Sequence, residues 1–296
     1  MSLFRRVLDL DQPLEGPVLV LGMDGWIDAG LGAGTATAHL LNVVPTEILG
    51  TFDREELIDY RARRPMVPIE NGVAGDLSWP EIHLRVGKDP TGRDVLVLVG
   101  PEPDMRWSTF VSDVVELSRE LGVRMVASVG AFPLSVPHTR PVRLAATGND
   151  RELIDQLGVV PGSMEVPAGI HAALQEGFGK AGIPAVGIWA RVPMYAAGMP
   201  YPAASAALLE GLARVAGIEI DAAELHEAAE LASARIDELI ASSTEHTEMV
   251  RQLEAAVDAE ESAPPLDFSD LPSGDEIGAE LERFLRGEHP GGPQGA

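Results

Sequence analysis

Residues 94–100, Asp-Val-Leu-Val-Leu-Val-Gly, carry the clearest structural signal in the chain. Five consecutive apolar residues bounded by a charge and a glycine predict a strand that is buried on both faces. Residues 17–21, Pro-Val-Leu-Val-Leu, predict a second strand of the same kind. Such strands belong to parallel sheets that are covered by helices on both sides, so the pair indicates an α/β fold.

Short apolar runs alternate with helical patterns through the first 218 residues. Further strands are predicted at 47–51, 82–86, 124–129, 142–146 and 185–190, and helices at 28–41, from Met105 onward, at 170–180 and at 203–216. We therefore predict a central, mostly parallel or mixed sheet flanked by helices. Residues 59–80 carry no clean period and predict a long excursion, which in a compact domain is usually functional or interfacial.

The chain changes character after Gly217. Apolar residues from Leu225 to Ala256 step by three and four, which predicts a helical hairpin as a C-terminal extension. A Pro- and Asp-rich linker and a last short helix near 276–285 follow. We divide the chain into an α/β domain (1–218), an acidic helical hairpin (219–261) and an acidic linker with a short helix and flexible tail (262–296).

Charge and composition exclude several classes of function. The net charge is −24, and the 20 acidic residues and four arginines from Glu219 onward contribute −16 of it. Such a field repels phosphate backbones and anionic lipid, so we expect neither nucleic-acid nor membrane binding. The chain has no cysteine, which excludes thiol chemistry and fits the cytoplasm. Its N-terminus lacks a signal-peptide pattern, and we expect a cytoplasmic protein.

The first chemistry-bearing turn is residues 22–34, Gly-Met-Asp-Gly-Trp-Ile-Asp-Ala-Gly-Leu-Gly-Ala-Gly. It joins a predicted strand to a predicted helix, where α/β sheets usually bind ligands. One interpretation is a phosphate cradle, but no Lys-Ser or Lys-Thr follows, and Asp24 and Asp28 would repel a phosphate. The other makes Asp28 a helix N-cap, with glycines that let helix and strand approach closely. Trp26 lies between the two aspartates.

The second turn is residues 100–107, Gly-Pro-Glu-Pro-Asp-Met-Arg-Trp. Asp104 is predicted to be the N-cap of the following helix, and Trp107 its first core residue. Glu102 and Arg106 sit on a proline-stiffened turn, where they form an ion pair between loops or subunits or orient a polar ligand.

The third turn is residues 137–141, Pro-His-Thr-Arg-Pro, which aims His138, Thr139 and Arg140 between two prolines. His138 is the one candidate acid or base, although no nucleophile motif accompanies it. The histidines are scattered, so we predict no metal site. Because all three turns follow strands of one sheet, we predict that they converge at one rim and bring Asp24, Glu102 and His138 together.

These three motifs, in this order and spacing, resemble the bacterial, chiefly actinobacterial, branch of the PAC2 family of proteasome-assembly-chaperone-like proteins. The resemblance covers roughly residues 18–212 and implies a phosphorylase-like α/β fold and homo-oligomers. Some relatives bind the proteasome core through a C-terminal hydrophobic-Tyr-x tail. This chain ends Pro-Gln-Gly-Ala, so we do not expect that mode of docking. It also has Val192-Pro193-Met194-Tyr195 where many relatives have Pro-His-Tyr.

The resemblance and the turns together predict a protein-binding or assembly module without a cofactor. Its expected partners are further copies of itself, with a trimer as the first expectation, and a second protein. The binding or interface residues would be those of the three turns: Asp24, Trp26, Asp28, Glu102, Asp104, Arg106, Trp107, His138, Thr139 and Arg140. The alternative is a small-molecule hydrolase or phosphorylase, in which His138 is the acid or base and Asp24, Asp28 and Glu102 orient the substrate or bind a metal.

Overall fold

The computed structural model of the protein describes residues 2–160, 162–163 and 165–262. Its centre is an eight-stranded sheet. The strands are β1 (Phe4–Arg6), β2 (Val18–Met23), β3 (Thr46–Phe52), β6 (His83–Lys88), β7 (Asp94–Gly100), β8 (Met125–Leu134), β9 (Leu144–Gly148) and β10 (Ala185–Pro193), while β4 (Ile69–Glu70) and β5 (Val73–Ala74) form a separate hairpin. The predicted 94–100 strand has the observed bounds of β7.

The sheet has the order β1-β3-β6-β7-β2-β8-β10-β9. β7, β2, β8 and β10 are mutually parallel neighbours, whereas β6 and β9 pair antiparallel with β7 and β10. The predicted mostly parallel or mixed sheet is therefore confirmed. Because these four strands are parallel, they all end at the same edge of the sheet.

Helices cover both faces of the sheet. They are α1 (Gly32–Val43), α2 (Arg54–Leu57), α3 (Trp107–Glu120), α4 (Arg151–Asp155), α5 (Ile170–Ala181), α6 (Pro202–Ala216), α7 (Ala223–Ala241) and α8 (Thr244–Ser262). The C-terminal helical extension predicted after Gly217 is present as α7 and α8, and their pairing as a hairpin remains a prediction. No helix in the part of the chain that the structure describes combines the length and apolarity needed to cross a bilayer.

Alternation along the central strands builds two cores on opposite faces of the sheet. Val18, Val20, Val95 and Val97 face one core, and Leu19, Leu21, Leu96 and Leu98 face the other. The valine side is covered by α1, α6 and α7, the last through the buried Leu225 and Ile236. The leucine side is covered by α2, α3 and α5. Helix α7 thus packs on the opposite face from α2.

The predicted excursion, residues 59–80, is an arm with a built base and a hairpin at its tip. The Tyr60 and Trp79 rings meet edge to face at 4.9 Å, and Arg54 lies 4.9 Å from the Trp79 ring. Two backbone hydrogen bonds of 2.9 and 2.8 Å join Met66 to Ser78. At the tip, Asn71 and Gly72 have φ of 50° and 85° between β4 and β5, as a two-residue hairpin turn requires.

The chain divides into two units, residues 1–254 and 255–296. Of the second unit, the structure describes residues 255–262, which belong to α8. The division at 218 and 261 remains a prediction. The short helix predicted near 276–285 lies outside the described residues.

Candidate functional site

Backbone contacts join the first turn to the second turn and to strand β8, which precedes the third turn. The Asp24 amide donates to the Gly100 carbonyl at 2.9 Å, which ties the turn after β2 to the end of β7. Asp28 forms a parallel bridge with Ala131 of β8. The edge is therefore a hydrogen-bonded frame rather than a set of independent loops.

Asp28 binds the start of helix α1 with both carboxylate oxygens. Oδ1 accepts from the Ala33 amide at 2.7 Å and Oδ2 from the Gly34 amide at 2.9 Å. A carboxylate in this position satisfies unpaired amides and complements the helix dipole. The amides that a phosphate cradle would use are thus already bonded to the chain's own side chain, which favours the capping interpretation. The N-cap position itself is Leu31 rather than the predicted Asp28, because a short helical turn at 29–31 separates Asp28 from α1.

Gly22 permits the close packing of α1 that capping by Asp28 requires. A Cβ at Gly22 would lie 2.4 Å from Cγ2 of Thr37 in α1. Such a separation is not reached by real Cβ atoms, so strand β2 approaches the helix closely only because this position has no side chain.

Asp24 is exposed and faces a mixed electrostatic environment. Partial burial of its carboxyl group raises the pKa of Asp24 above the ordinary value, the nearby Arg63 guanidinium opposes this, and the Asp28 charge adds to it. Ionised Asp24 therefore lowers the stability of the folded protein.

Glu102 joins the second turn to helix α5. Its Oε2 accepts from the Ile170 amide at 2.6 Å. A Cβ at Gly169 would lie 3.1 Å from that oxygen and 3.2 Å from Cδ1 of Trp26, so this glycine lets carboxylate and indole pack together. Trp26 nevertheless remains 54% exposed. The result is a large apolar ring presented to solvent on a polar, internally bonded support.

Asp104 and Arg106 hold the base of the arm, and one prediction about them is wrong. Asp104 does not cap helix α3; it accepts from the Asp59 amide at 2.9 Å and from Nε of Arg63 at 3.2 Å. The N-cap position belongs to Arg106, whose φ is 59° and whose guanidinium pairs with Glu56. The Asp59 amide and the Arg63 side chain, both in the arm, take the Asp104 carboxylate instead of the amides of α3. Trp107 begins α3 as predicted and packs against the core.

His138 lies in a second cluster, between the ends of β8 and β10 and helix α7. Its backbone amide and its ring Nδ1 each lie 2.8 Å from the Tyr195 hydroxyl, and its Nε2 lies 3.0 Å from Oδ1 of Asp237. The hydroxyl accepts from the amide, which directs its own hydrogen toward Nδ1 and leaves Nε2–H to donate to Asp237. The side chain of His138 is 1% exposed. Both ring nitrogens are thus engaged inside the protein.

Thr139 and Arg140 extend this second cluster to helix α8. The Thr139 hydroxyl donates to Glu254 at 2.5 Å, and Arg140 lies 3.2 Å from the same carboxylate oxygen. Burial raises the pKa of Tyr195, with the charges of Glu254 and Asp237 adding to the effect, so its hydroxyl stays protonated and able to donate. The acidic helices α7 and α8 therefore bind the third turn through the carboxylates of Asp237 and Glu254.

The ten predicted residues fall into two clusters at one sheet edge. The frame cluster contains Asp24, Trp26, Asp28, Glu102, Asp104, Arg106 and Trp107, and the clamp cluster contains His138, Thr139 and Arg140. The hydrogen bonds of His138 run to Tyr195 and Asp237, and that of Glu102 runs to Ile170. Tyr195, Asp237 and Glu254 were not predicted as site residues from the sequence. The Val-Pro-Met-Tyr departure drew attention to the segment of Tyr195, but no local pattern pairs it with His138.

In the part of the chain that the structure describes, the ten predicted residues form no metal site and do not line the core cavity. Among the described residues, no group of three or more His, Asp or Glu side chains is arranged to hold a metal ion. A cavity of about 10 Å³ lies inside the leucine-side core and is lined by apolar residues and Ser118. That is room for roughly one water molecule, and none of the ten predicted residues lines it.

Comparisons with known proteins point to one family. The PAC2 family model matches residues 22–240. A Corynebacterium glutamicum protein of unknown function is 31% identical, with 88% of this chain and 98% of that chain covered at a TM-score of 0.82. The Mycobacterium tuberculosis protein Rv2714, of unknown function, is 35% identical over 88% and 92% of the two chains at 0.81. A comparison with curated proteins gives no match.

A third similar structure is that of a proteasome-assembly chaperone homologue. The Mycobacterium tuberculosis proteasome-assembly chaperone homologue Rv2125 is 36% identical to this chain, with 79% of this chain and 99% of that chain covered at a TM-score of 0.73.

Replacing Asp28 and Asp24 should have opposite consequences for stability. Asp28→Asn keeps the shape but can accept only through one oxygen, so we expect a loss of about 1–2 kcal/mol in the free energy of unfolding. Asp24→Asn removes a charge that folding disfavours and should leave stability unchanged or raised near neutral pH. Because the folded pKa of Asp24 lies above the ordinary 3.8, this gain should shrink as the pH falls toward that value.

Urea denaturation of both variants at several pH values measures these differences. A larger loss for Asp24→Asn than for Asp28→Asn at neutral pH would contradict the capping role assigned to Asp28.

Tyr195→Phe should destabilise the clamp cluster. The change leaves the His138 amide and Nδ1 without their partner, and a buried polar group that loses its hydrogen bond costs about 1–3 kcal/mol. Tyr201→Phe is the matched control. The Tyr201 ring is also buried, and burial raises the pKa of its hydroxyl to about 12, but that hydroxyl forms no hydrogen bond with another described residue. Thermal and urea unfolding should show a larger loss of stability for Tyr195→Phe than for Tyr201→Phe. Equal losses would contradict a stabilising role of the clamp cluster.

Proposed function

Because the chain belongs to the PAC2 family, we propose that it is a homo-oligomeric protein-binding module of the assembly-chaperone type. Its association surface is the sheet edge around Trp26 and Met105, supported by the frame cluster. We expect a trimer first among the possible oligomers. The sequence similarity to a mycobacterial proteasome-assembly chaperone homologue supports a role in protein association.

The observation that carries the proposal is the contrast between bonded polar groups and exposed apolar ones. The carboxylates of these turns accept hydrogen bonds from backbone amides, as they do at Asp28, Glu102 and Asp104. On the same turns, the apolar side chains of Trp26 and Met105 are 54% and 45% exposed. A rigid aromatic anchor on an ordered support is typical of a protein interface, where tryptophan is a frequent hot spot.

The same contacts weigh against the small-molecule enzyme. An acid or base needs a ring nitrogen within reach of a substrate proton, and both nitrogens of His138 are bonded to Tyr195 and Asp237. The carboxylates that would orient a substrate or hold a metal are divided, since Asp28 serves α1 and Glu102 serves α5. The arrangement supports positioning of loops rather than turnover of a ligand.

The oligomeric state tests the proposal. Light scattering of the full chain should give a mass that is a small multiple of 31.4 kDa. The variant with Trp26→Ala and Met105→Ala should dissociate about thirtyfold more readily, because loss of a hot-spot anchor costs about 2 kcal/mol or more. Val7→Ala is the matched control, since Val7 is 56% exposed but lies beside β1, away from the three turns.

A strictly monomeric mass across the accessible concentrations, or equal association of the double variant and the control, would contradict the proposed surface.

A further inference from the structure

The arm, residues 59–80, carries an apolar surface that the folded chain does not cover. Met66 and Val73 are 72% and 71% exposed, and Val67, Ile69 and Leu77 are also exposed. The base of the arm is held by the Tyr60–Trp79 contact and by Asp104. An ordered projection with several exposed apolar side chains is typical of an interaction site.

Two arginines border this apolar surface. Arg61 and Arg64 are exposed, and no ion pair joins either side chain to another described residue. Their neighbour Arg63, by contrast, is paired with Asp104. In a chain with a net charge of −24, two uncompensated cations beside exposed Met66 and Val67 favour a partner whose surface is apolar at its centre and acidic around it.

Helix α7 presents such a surface. Leu231 is 75% exposed and points away from the buried Leu225 and Ile236. Leu239 is 52% exposed and, three residues after Ile236, lies at the edge of the buried side. The exposed side chains around them are mainly acidic, namely Glu224, Glu227, Glu230 and Glu238, with Arg235 among them. No ion pair to another described residue compensates those four glutamates.

We propose that the arm of one copy docks on the outer face of helix α7 of a second copy, with Arg61 and Arg64 facing its glutamates. This rests on the proposed homo-oligomeric function and names the partner surface. Within one molecule α7 covers the valine-side core, whereas the arm leaves the leucine-side core at Ile58. The base of the arm and helix α7 are therefore on different faces of the sheet, and a head-to-tail contact joins two such non-identical surfaces.

Charge complementarity decides between a second copy and a foreign protein as the occupant. The chain supplies both halves of the contact, a basic-rimmed apolar arm and an acidic-rimmed apolar helix face. Head-to-tail contacts of this kind close into rings when the rotation allows, in agreement with the expected trimer. The contact should also weaken as ionic strength rises, because its charges are near the surface.

A charge-exchange experiment on the full chain tests the contact. The arm variant (Arg61→Glu with Arg64→Glu) and the helix variant (Glu227→Lys with Glu230→Lys) should each associate at least tenfold more weakly than the wild type by sedimentation. A chain that carries all four changes should recover most of the association, because the two surfaces are again complementary. Arg5→Glu with Arg151→Glu is the control, since it changes the net charge as the arm variant does but lies elsewhere.

Circular dichroism and thermal unfolding verify that each variant folds. If the arm variant associates like the wild type while the variant with Trp26→Ala and Met105→Ala dissociates, the arm contact is wrong and the proposed function stands. If both charge-reversed variants weaken but their combination does not recover, the arm and α7 contact other surfaces, and the pairing is overturned. A monomeric wild type would overturn the proposed function and this contact with it.

Discussion

The parallel pairing of β7, β2, β8 and β10 determines where the turns of the candidate site lie. It brings four strand ends, and the turns that follow them, to one edge of the sheet. Turn and helix-start amides at such an edge need hydrogen-bond acceptors. Asp28, Glu102 and Asp104 supply them from side chains. In the sequence these three acids resemble catalytic or ligand-binding residues. In the folded protein their carboxylates accept hydrogen bonds from backbone amides.

Much of this architecture could be predicted from the sequence because the deciding strands are buried on both faces. The run at 94–100 has no polar residue between its ends, so its bounds were predictable. Strand β8 continues to Leu134, beyond the predicted 129, because its pairing with β10 through Gly130 and Ala131 extends it. The hairpin at the tip of the arm was missed although Asn71-Gly72 is a turn signal; its strands are too short and too exposed to show a period.

The candidate site was predictable only where the partners are near in sequence. Asp28 caps amides five and six residues further on, which a spacing argument can reach. Asp104 was misassigned because its acceptor role is decided by Asp59, which folding brings back from 45 residues away. The partner of His138 on α7 is 99 residues distant, and an acidic helix offers many equivalent carboxylates. Only the packing of α7 on α6 selects Asp237.

We propose that the frame cluster and the arm form an association surface. Amide hydrogen exchange of the full chain at low and high protein concentration distinguishes this surface from others, because exchange reports local opening and coverage. We expect residues 24–27, 101–106 and 65–79 to become protected as the concentration rises, together with the exposed side of α7. Association that leaves these segments unchanged and protects others would contradict it.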